Sequence, residues 1–227
     1  PIPPRTRKSS RPVAQLLSVN VVYAEVPDPV GSMATTAIDK RPVPGPVEVR
    51  RLGVAGDHQV DTGSHGGPDK AVYAYAREDL DWWAGELGRD LPNGCFGENL
   101  TTAGLDVTNA VIGERWAIGD DGLVVEVAMP RIPCRTFQGW MGEGQWVKRF
   151  FAHGAPGAYL RVVSEGSVSA GDPIVVTDRP GHGVTVSETF DLRLTPPGRL
   201  QRLLDQHPDP AEDLVAAVEK VLRVTAP

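Results

Sequence analysis

Val111-Ile-Gly-Glu-Arg-Trp-Ala-Ile118, Gly119-Asp-Asp-Gly122 and Leu123-Val-Val-Glu-Val-Ala128 read as two strands joined by a tight, glycine-bearing turn. The second strand runs straight into Met129-Pro130-Arg131-Ile132-Pro133-Cys134-Arg135-Thr136-Phe137. Proline fixes φ and lacks an N–H, so this run cannot continue as a central strand or helix. A thiol therefore stands just past a strand end, on stiff backbone, between Arg131 and Arg135. A neighbouring cation favours the thiolate, the form that ligates metals and attacks electrophiles. Free cysteine is also among the most often buried residues, so packing is the competing account of Cys134.

Working outward, Ala14–Tyr23, Val47–Val54, Ala71–Tyr75, Gly157–Val163 and Pro173–Thr177 are apolar or alternating, and predict further strands. Residues 24–37 read as loop, Arg41–Pro46 as a turn cluster and Gly94–Thr102 as a polar, glycine-bearing segment. Glu78–Leu87 predicts a helix whose acidic first turn suits the positive end of the helix dipole. Gln145–Phe151 predicts a short helix. Beyond residue 180 the pattern turns helical, over Thr185–Arg193, Gly198–Gln206 and Pro210–Val224, with Asp209-Pro210 as an N-cap and first-turn pair. Strands followed by segregated helices predict a mainly β fold with α. The expected organisation is a closed or partly closed β-barrel over 14–180 with short peripheral helices, and a small three-helix appendage over 181–227. Residues 1–13 carry charge but no apolar stretch behind it, and read as a disordered tail rather than a secretory signal.

The 227 residues are 41% hydrophobic and 23% charged, the usage of an ordinary globular chain long enough for a full core. A net charge of −6 excludes a global basic footprint for nucleic acid, so any anionic ligand must be held by a local cluster. Two cysteines, Cys95 and Cys134, do not indicate a disulfide framework, exclude a zinc site built mainly from cysteine, and suit a reducing cytoplasm. No apolar run approaches the length of a membrane span.

Three segments carry chemistry. His65-Gly66-Gly67-Pro68-Asp69-Lys70 pairs glycines, which allow close backbone approach and an anion nest, with a point charge on Lys70. It also reads as a tight turn between strands. It is neither a P-loop, for no Gly-Lys-Ser/Thr follows, nor a dinucleotide fingerprint, for a strand follows. Phe96-Gly-Glu-Asn-Leu-Thr-Thr102 offers the neutral donors and acceptors of Asn99, Thr101 and Thr102, or a simple turn. Arg131, Arg135, Arg149 and Arg161 offer forked donors for phosphate or carboxylate, Arg161 from inside an otherwise apolar strand. Cys95, beside Phe96, reads as packing. No His-Glu-x-x-His and no Gly-x-Ser-x-Gly occurs; Asp57, His58 and Asp61 suit a hard metal or a loop's own hydrogen bonds.

Taken in order, these segments resemble the MOSC domain superfamily, named for the C-terminal domain of molybdenum cofactor sulfurase, and within it the stand-alone YiiM-like branch. The resemblance rests on Leu16–Val21, Val49–Asp57, His65–Tyr75, Phe96–Thr102, Pro130-Arg-Ile-Pro-Cys134, Gly157–Arg161 and Ala170-Gly-Asp172. It implies a β-barrel that binds molybdenum cofactor (molybdopterin), a pterin-dithiolene with a phosphate. It implies Cys134 as molybdenum ligand and catalytic residue. His65, Gly66, Gly67 and Lys70 match the loop near the cofactor, and Asn99 matches the Phe-Gly-Glu-Asn segment. Arg131, Arg149 and Arg161 become candidates for the phosphate, Arg131 the closest by motif. The implied activity is reduction of small N-hydroxylated compounds, such as N-hydroxylated purine bases, with electrons from a separate donor protein. The chain shows no motif for a flavin, a nicotinamide or an iron–sulfur cluster of its own, and pyridoxal is likewise not implied. A cofactor carrier without turnover, and a sulfur carrier with a persulfide on Cys134, are the alternatives. Thiolate is a soft ligand, and one suffices where a dithiolene supplies the other sulfurs.

Overall fold

Alternating and β-branched runs build β1 (Gln15–Pro27), β2 (Thr35–Pro42), β3 (Val47–Arg50), β4 (Gly53–Val54), β5 (Val72–Ala76), β6 (Leu100–Ala103), β7 (Arg115–Ile118), β8 (Leu123–Pro130), β9 (Ala158–Ser164), β10 (Gly166–Val168) and β11 (Ile174–Asp178). The computed structural model describes residues 13–28, 30 and 33–225, with backbone alone at Ser64 and His65. The tail expected over 1–13 lies outside these residues except for Val13. Eight strands form one sheet in the order β11-β7-β8-β9-β5-β6-β1-β2, and β10-β3-β4 form a second. Within the large sheet β5 and β6 run parallel, whereas β8 and β9, and β5 and β9, pair antiparallel.

The expected barrel is not formed: the sheet ladder stays open, with β11 and β2 at its ends. The start of β1 meets β11 only through an isolated Gln15–Pro173 bridge, flanked by Leu16 N–H to Asp172 O at 2.9 Å and Ile174 N–H to Ala14 O at 2.8 Å. Beyond the bridge the pairing is not extended, for Gly171 N–H turns back onto Leu16 O at 2.7 Å.

Other boundaries differ for local reasons. Residues 24–37 are not all loop: β1 continues to Pro27, and β2 starts at Thr35 and pairs with it. This hairpin lies at the sheet edge with much of its surface in water, so its sequence is polar and tolerates proline. The strand expected over Val111–Ile118 begins only at Arg115, because Gly113 adopts φ +83° and Val111 bridges Thr185 instead. Val47–Val54 divides into β3 and β4, and Gly94–Thr102 ends in β6.

The helices are α1 (Thr62–His65), α2 (Arg77–Leu87), α3 (Arg135–Met141), α4 (Trp146–His153), α5 (Val186–Phe190), α6 (Pro197–Gln206) and α7 (Glu212–Thr225), with a 3₁₀ turn at Pro68–Lys70. Two buried clusters hold them. Leu200, Leu203, Leu214 and Val218 of α6 and α7 join the aliphatic core with Val125, Leu160 and Trp116 of the sheet. An aromatic cluster joins Tyr73 and Tyr75 of β5, Trp83, Phe96, Phe137, Trp146 and Phe150. Each such side chain contributes about 1.5–3 kcal/mol on burial, so this cluster fixes α2, α3 and α4 against β5.

Gly157 enters β9 at φ +69°, and a Cβ there would lie 2.6 Å from Ala74 O and 2.8 Å from Tyr73 Cε2. Gly157→Ala therefore combines left-handed strain with overpacking and is expected to cost about 2–4 kcal/mol, read as a lower urea midpoint at unchanged m-value.

His182 and His207 stack with ring centroids 6.1 Å apart where the last helices meet the sheet. Their Nδ1 atoms accept from Val184 N–H and Asp209 N–H. Burial, the largest cause, lowers the pKa of both. The unfolded chain therefore takes up protons first as pH falls, so stability is full above the unfolded value of about 6.5 and declines below it. Asp79, raised to about 6 by burial, shifts stability the opposite way over that range. Urea midpoints from pH 7.5 to 5 are expected to fall less steeply in a His182→Gln/His207→Gln variant than in the parent.

Candidate functional site

Cys134 lies where β8 ends and α3 begins. Pro130 closes the strand opposite Ala158, and Pro133 restricts φ in the short link to α3. Cys134 is the N-cap of α3 (φ −110°, ψ 174°), and its Sγ accepts from Phe137 N–H at 3.5 Å. The segment thus turns at once into a helix, which the two prolines and Arg135 did not signal. The thiol is half-buried.

Two cavities meet at this cysteine. An inner one of about 130 Å³ lies between β2, residues 58–61, β5 and the Phe96–Asn99 segment, and includes Arg131. An outer groove of about 1170 Å³ runs between the end of β8, α4 and the starts and ends of α7 and α5. Asp61, Lys70, Cys134, Thr136 and Tyr159 border both. The inner cavity is below the roughly 300–1,000 Å³ of a typical ligand pocket, so a ligand of pterin size would occupy the outer groove and reach into the inner cavity only in part.

Arg131 is 4% exposed, and its guanidinium carbon sits 3.7 Å from the centroid of the Phe137 ring. Its Nη1 has no hydrogen-bond partner. A buried charged donor without an acceptor is costly, which makes this atom a waiting site for an anion. Burial raises the pKa of the Tyr159 hydroxyl, while the charge and hydrogen bond of Arg131 pull it down. Burial likewise holds the Tyr73 phenol well above its usual value, and its hydroxyl donates to Pro156 O at 2.8 Å. Both rings therefore stay neutral donors near pH 7.

A second cation, Lys40 of β2, is buried in the inner cavity and pairs with Asp57 at 2.6 Å. Asp57 also accepts from Val22 N–H and from Asn99 Nδ2. Asn99 is committed on both sides: its Oδ1 accepts from Tyr73 N–H at 3.1 Å, and its Nδ2 also reaches Asn20 O. It borders the cavity as a brace between β1 and β5. Glu98 points away and ties the loop together, accepting from Gly94 N–H, Phe96 N–H and Thr101 Oγ1; burial raises its pKa against those bonds.

The structure brings Cys134, Arg131, Asn99 and Lys70 to one cleft. It does not bring the other two arginines there. Arg149 faces outward on α4 and pairs with Glu143 at 3.2 Å. Arg161 is spent on Asp69, Glu126 and Asp209, which explains a charge inside an apolar strand. Gly67 takes φ +96° ahead of the 3₁₀ turn, and a Cβ on Gly66 would lie 2.7 Å from Thr62 O. The pair shapes the turn that delivers Lys70, and neither borders the cavities. His65 lies on α1, its side chain outside the described residues. Asp57, His58 and Asp61 make no metal site: among the described residues no group of three or more His, Cys, Asp or Glu is placed to hold an ion. His58 Nε2 instead stands 2.9 Å from Glu25 Oε1. Burial pushes the Cys95 thiol far up, in keeping with packing.

Residue patterns missed Lys40, Tyr73 and Tyr159. Lys40 and its partner Asp57 are 17 residues apart with nothing linking them in the sequence. Tyr73 and Tyr159 face each other as cross-strand partners of β5 and β9, legible only once those strands are paired. The donor set fits a molybdenum–pterin cofactor: an orphaned buried N–H of Arg131 suits its phosphate, and the thiol of Cys134 is a soft ligand for the metal.

No helix among the described residues is long and apolar enough to cross a membrane. A family profile described as "MOSC domain" matches residues 61–175, a span that contains Lys70, Asn99, Arg131, Cys134 and Tyr159. The chain is 38% identical to the Bacillus subtilis protein YflK over 75% of its own length and 76% of that protein. It is 34% identical to a protein of Gibberella moniliformis named "Reductase", over 66% of this chain but only 27% of that one. The crystal structure of YiiM from Geobacillus stearothermophilus superposes with a TM-score of 0.73 at 27% identity, covering 92% of this chain and 99% of that one. Sequence and fold agree: the chain belongs to the MOSC domain family, as a YiiM-like member.

Proposed function

We propose that this chain binds a molybdenum cofactor across the Cys134 cleft and reduces N-hydroxylated compounds, N-hydroxylated purine bases among them, with electrons from a separate donor protein. The observation that carries this reading is Arg131 Nη1, a buried charged donor with no protein acceptor, beside the cysteine. Family membership supports the cofactor, and a relative named as a reductase supports turnover over simple carriage. When bound, the cofactor supplies two-electron exchange at molybdenum. The chain's own residues do the rest. Cys134 offers one sulfur ligand from a helix N-cap. Arg131 meets the anionic end, with Lys40 and Lys70 adding positive charge. Phe96 and Phe137 exclude water behind the site, and Tyr159, neutral and bordering both cavities, is a hydrogen-bond donor toward substrate. Reduction of an N–OH breaks the N–O bond, consumes two electrons and two protons, and releases the amine and water.

We read residues 14–180 as the cofactor-binding unit and the helices after 180 as an appendage that walls the groove. The free cysteines suit a reducing, cytoplasmic setting.

Cys134→Ser, made in a host that synthesises the cofactor, is expected to lose its molybdenum by elemental analysis while keeping its thermal midpoint; full metal retention would falsify the assignment. Arg131→Gln removes a charge-assisted bond worth about 1.5–3 kcal/mol and is expected to weaken cofactor retention by roughly ten- to 150-fold. Cofactor-loaded protein with a chemical reductant should convert an N-hydroxylated base to its amine. Binding without conversion would leave a carrier.

A further inference from the structure

We infer that Asp213 of α7 is an internal competitor for Lys70 and sets the affinity of the cleft for anions. The inference rests on reading the cleft as an anion site, and adds who already occupies its cation. Lys70 borders both cavities beside Cys134, and its Nζ donates to Asp213 Oδ2 at 2.6 Å. The two side chains are unequal: that of Lys70 is 13% exposed and that of Asp213 is 65% exposed. The cation is sunk in the cleft, and the carboxylate reaches it from the solvent side.

The contact is reinforced by a neighbour. Asp69, one residue earlier in the same 3₁₀ turn, is gripped by Arg161, which also binds the carbonyl and carboxylate of Asp209 in the α6–α7 link. The turn is thus tied down at two consecutive residues, Asp69 through Arg161 to the α6–α7 link and Lys70 directly to α7. Leu214, next to Asp213, is buried in the core and fixes the helix. The Asp213 side chain can therefore swing away from Lys70 without α7 leaving the core. An anion entering beside Cys134 must share Lys70 with this carboxylate or displace it, so ligand binding and the dock of α7 on the 65–70 loop are coupled. Because the pair is partly exposed, the competition is worth a few-fold and shrinks with salt.

The test uses the full chain at low ionic strength, titrated calorimetrically with inorganic phosphate and with molybdate. Asp213→Asn is expected to bind about two- to tenfold tighter than the parent. Lys70→Gln/Asp213→Asn should lose that gain. A ligand-free readout accompanies it: hydrogen exchange at residues 68–70 and the first turn of α7 should quicken in Asp213→Asn. If Asp213→Asn binds as the parent does while Lys70→Gln or Arg131→Gln weakens binding, the competition is overturned and the anion cleft stands. If no variant binds either probe, the anion reading and the inference both fall. Unchanged exchange in Asp213→Asn also overturns the coupling.

Discussion

A guanidinium has been carried into an aromatic cluster, and the site is arranged around that charge. Arg131 lies over Phe137 and within 6.0 Å of the Phe150 ring centroid, with one N–H left without an acceptor. Cation–π contact offsets part of the desolvation, but it cannot satisfy a donor. The chain compensates by keeping the adjoining space polar: Tyr159, Asn99 and Lys40 border the same cavity, Lys40 held by Asp57 behind it. An apolar filling there would leave the charge stranded, at a cost of several kcal/mol by the usual penalty for an unpaired buried ion.

The position of that charge follows from β8. The strand pairs with β9 through Pro130–Ala158 and then cannot continue, so the chain turns out of the sheet over the aromatic cluster. Cys134 comes next and caps α3, which sets its sulfur at the junction of the inner cavity and the outer groove. Phe137, one turn on, closes the site from beneath and accepts the arginine on its face. Strand end, thiol, cation and aromatic wall are thus four consequences of one short stretch.

The C-terminal helices contribute to the site as well as to the core. Their leucines and valines enter the aliphatic cluster, while Asp213 pairs with Lys70 and Asp209 pairs with Arg161, which also holds Asp69. Acidic residues at the start of α7 suit the helix dipole, but the contact with Lys70 gives one of them a place in the electrostatics of the cleft.

Much was legible without coordinates. The two prolines announced that β8 must end before Cys134, the alternating runs located β5, β8, β9 and β11, and the ordered motifs pointed to the MOSC family. Cys134, Arg131, Lys70 and Asn99 were singled out from the sequence, and all four border one cavity. The edge hairpin of β1 and β2 was not legible, because a strand exposed on one face carries polar residues and looks like loop. The open ladder was not legible either, because it depends on how β1 meets β11, two segments far apart in the chain. Arg149 and Arg161 looked equivalent to Arg131 as residues. Only the fold separated them, pairing Arg149 with nearby Glu143 and Arg161 with Asp69, Glu126 and Asp209, and leaving Arg131 with an unmet donor. The sequence by itself determined which local conformations and ligand chemistries were available. Which charges remained unspent was decided by the fold, since that depends on partners brought together from across the chain.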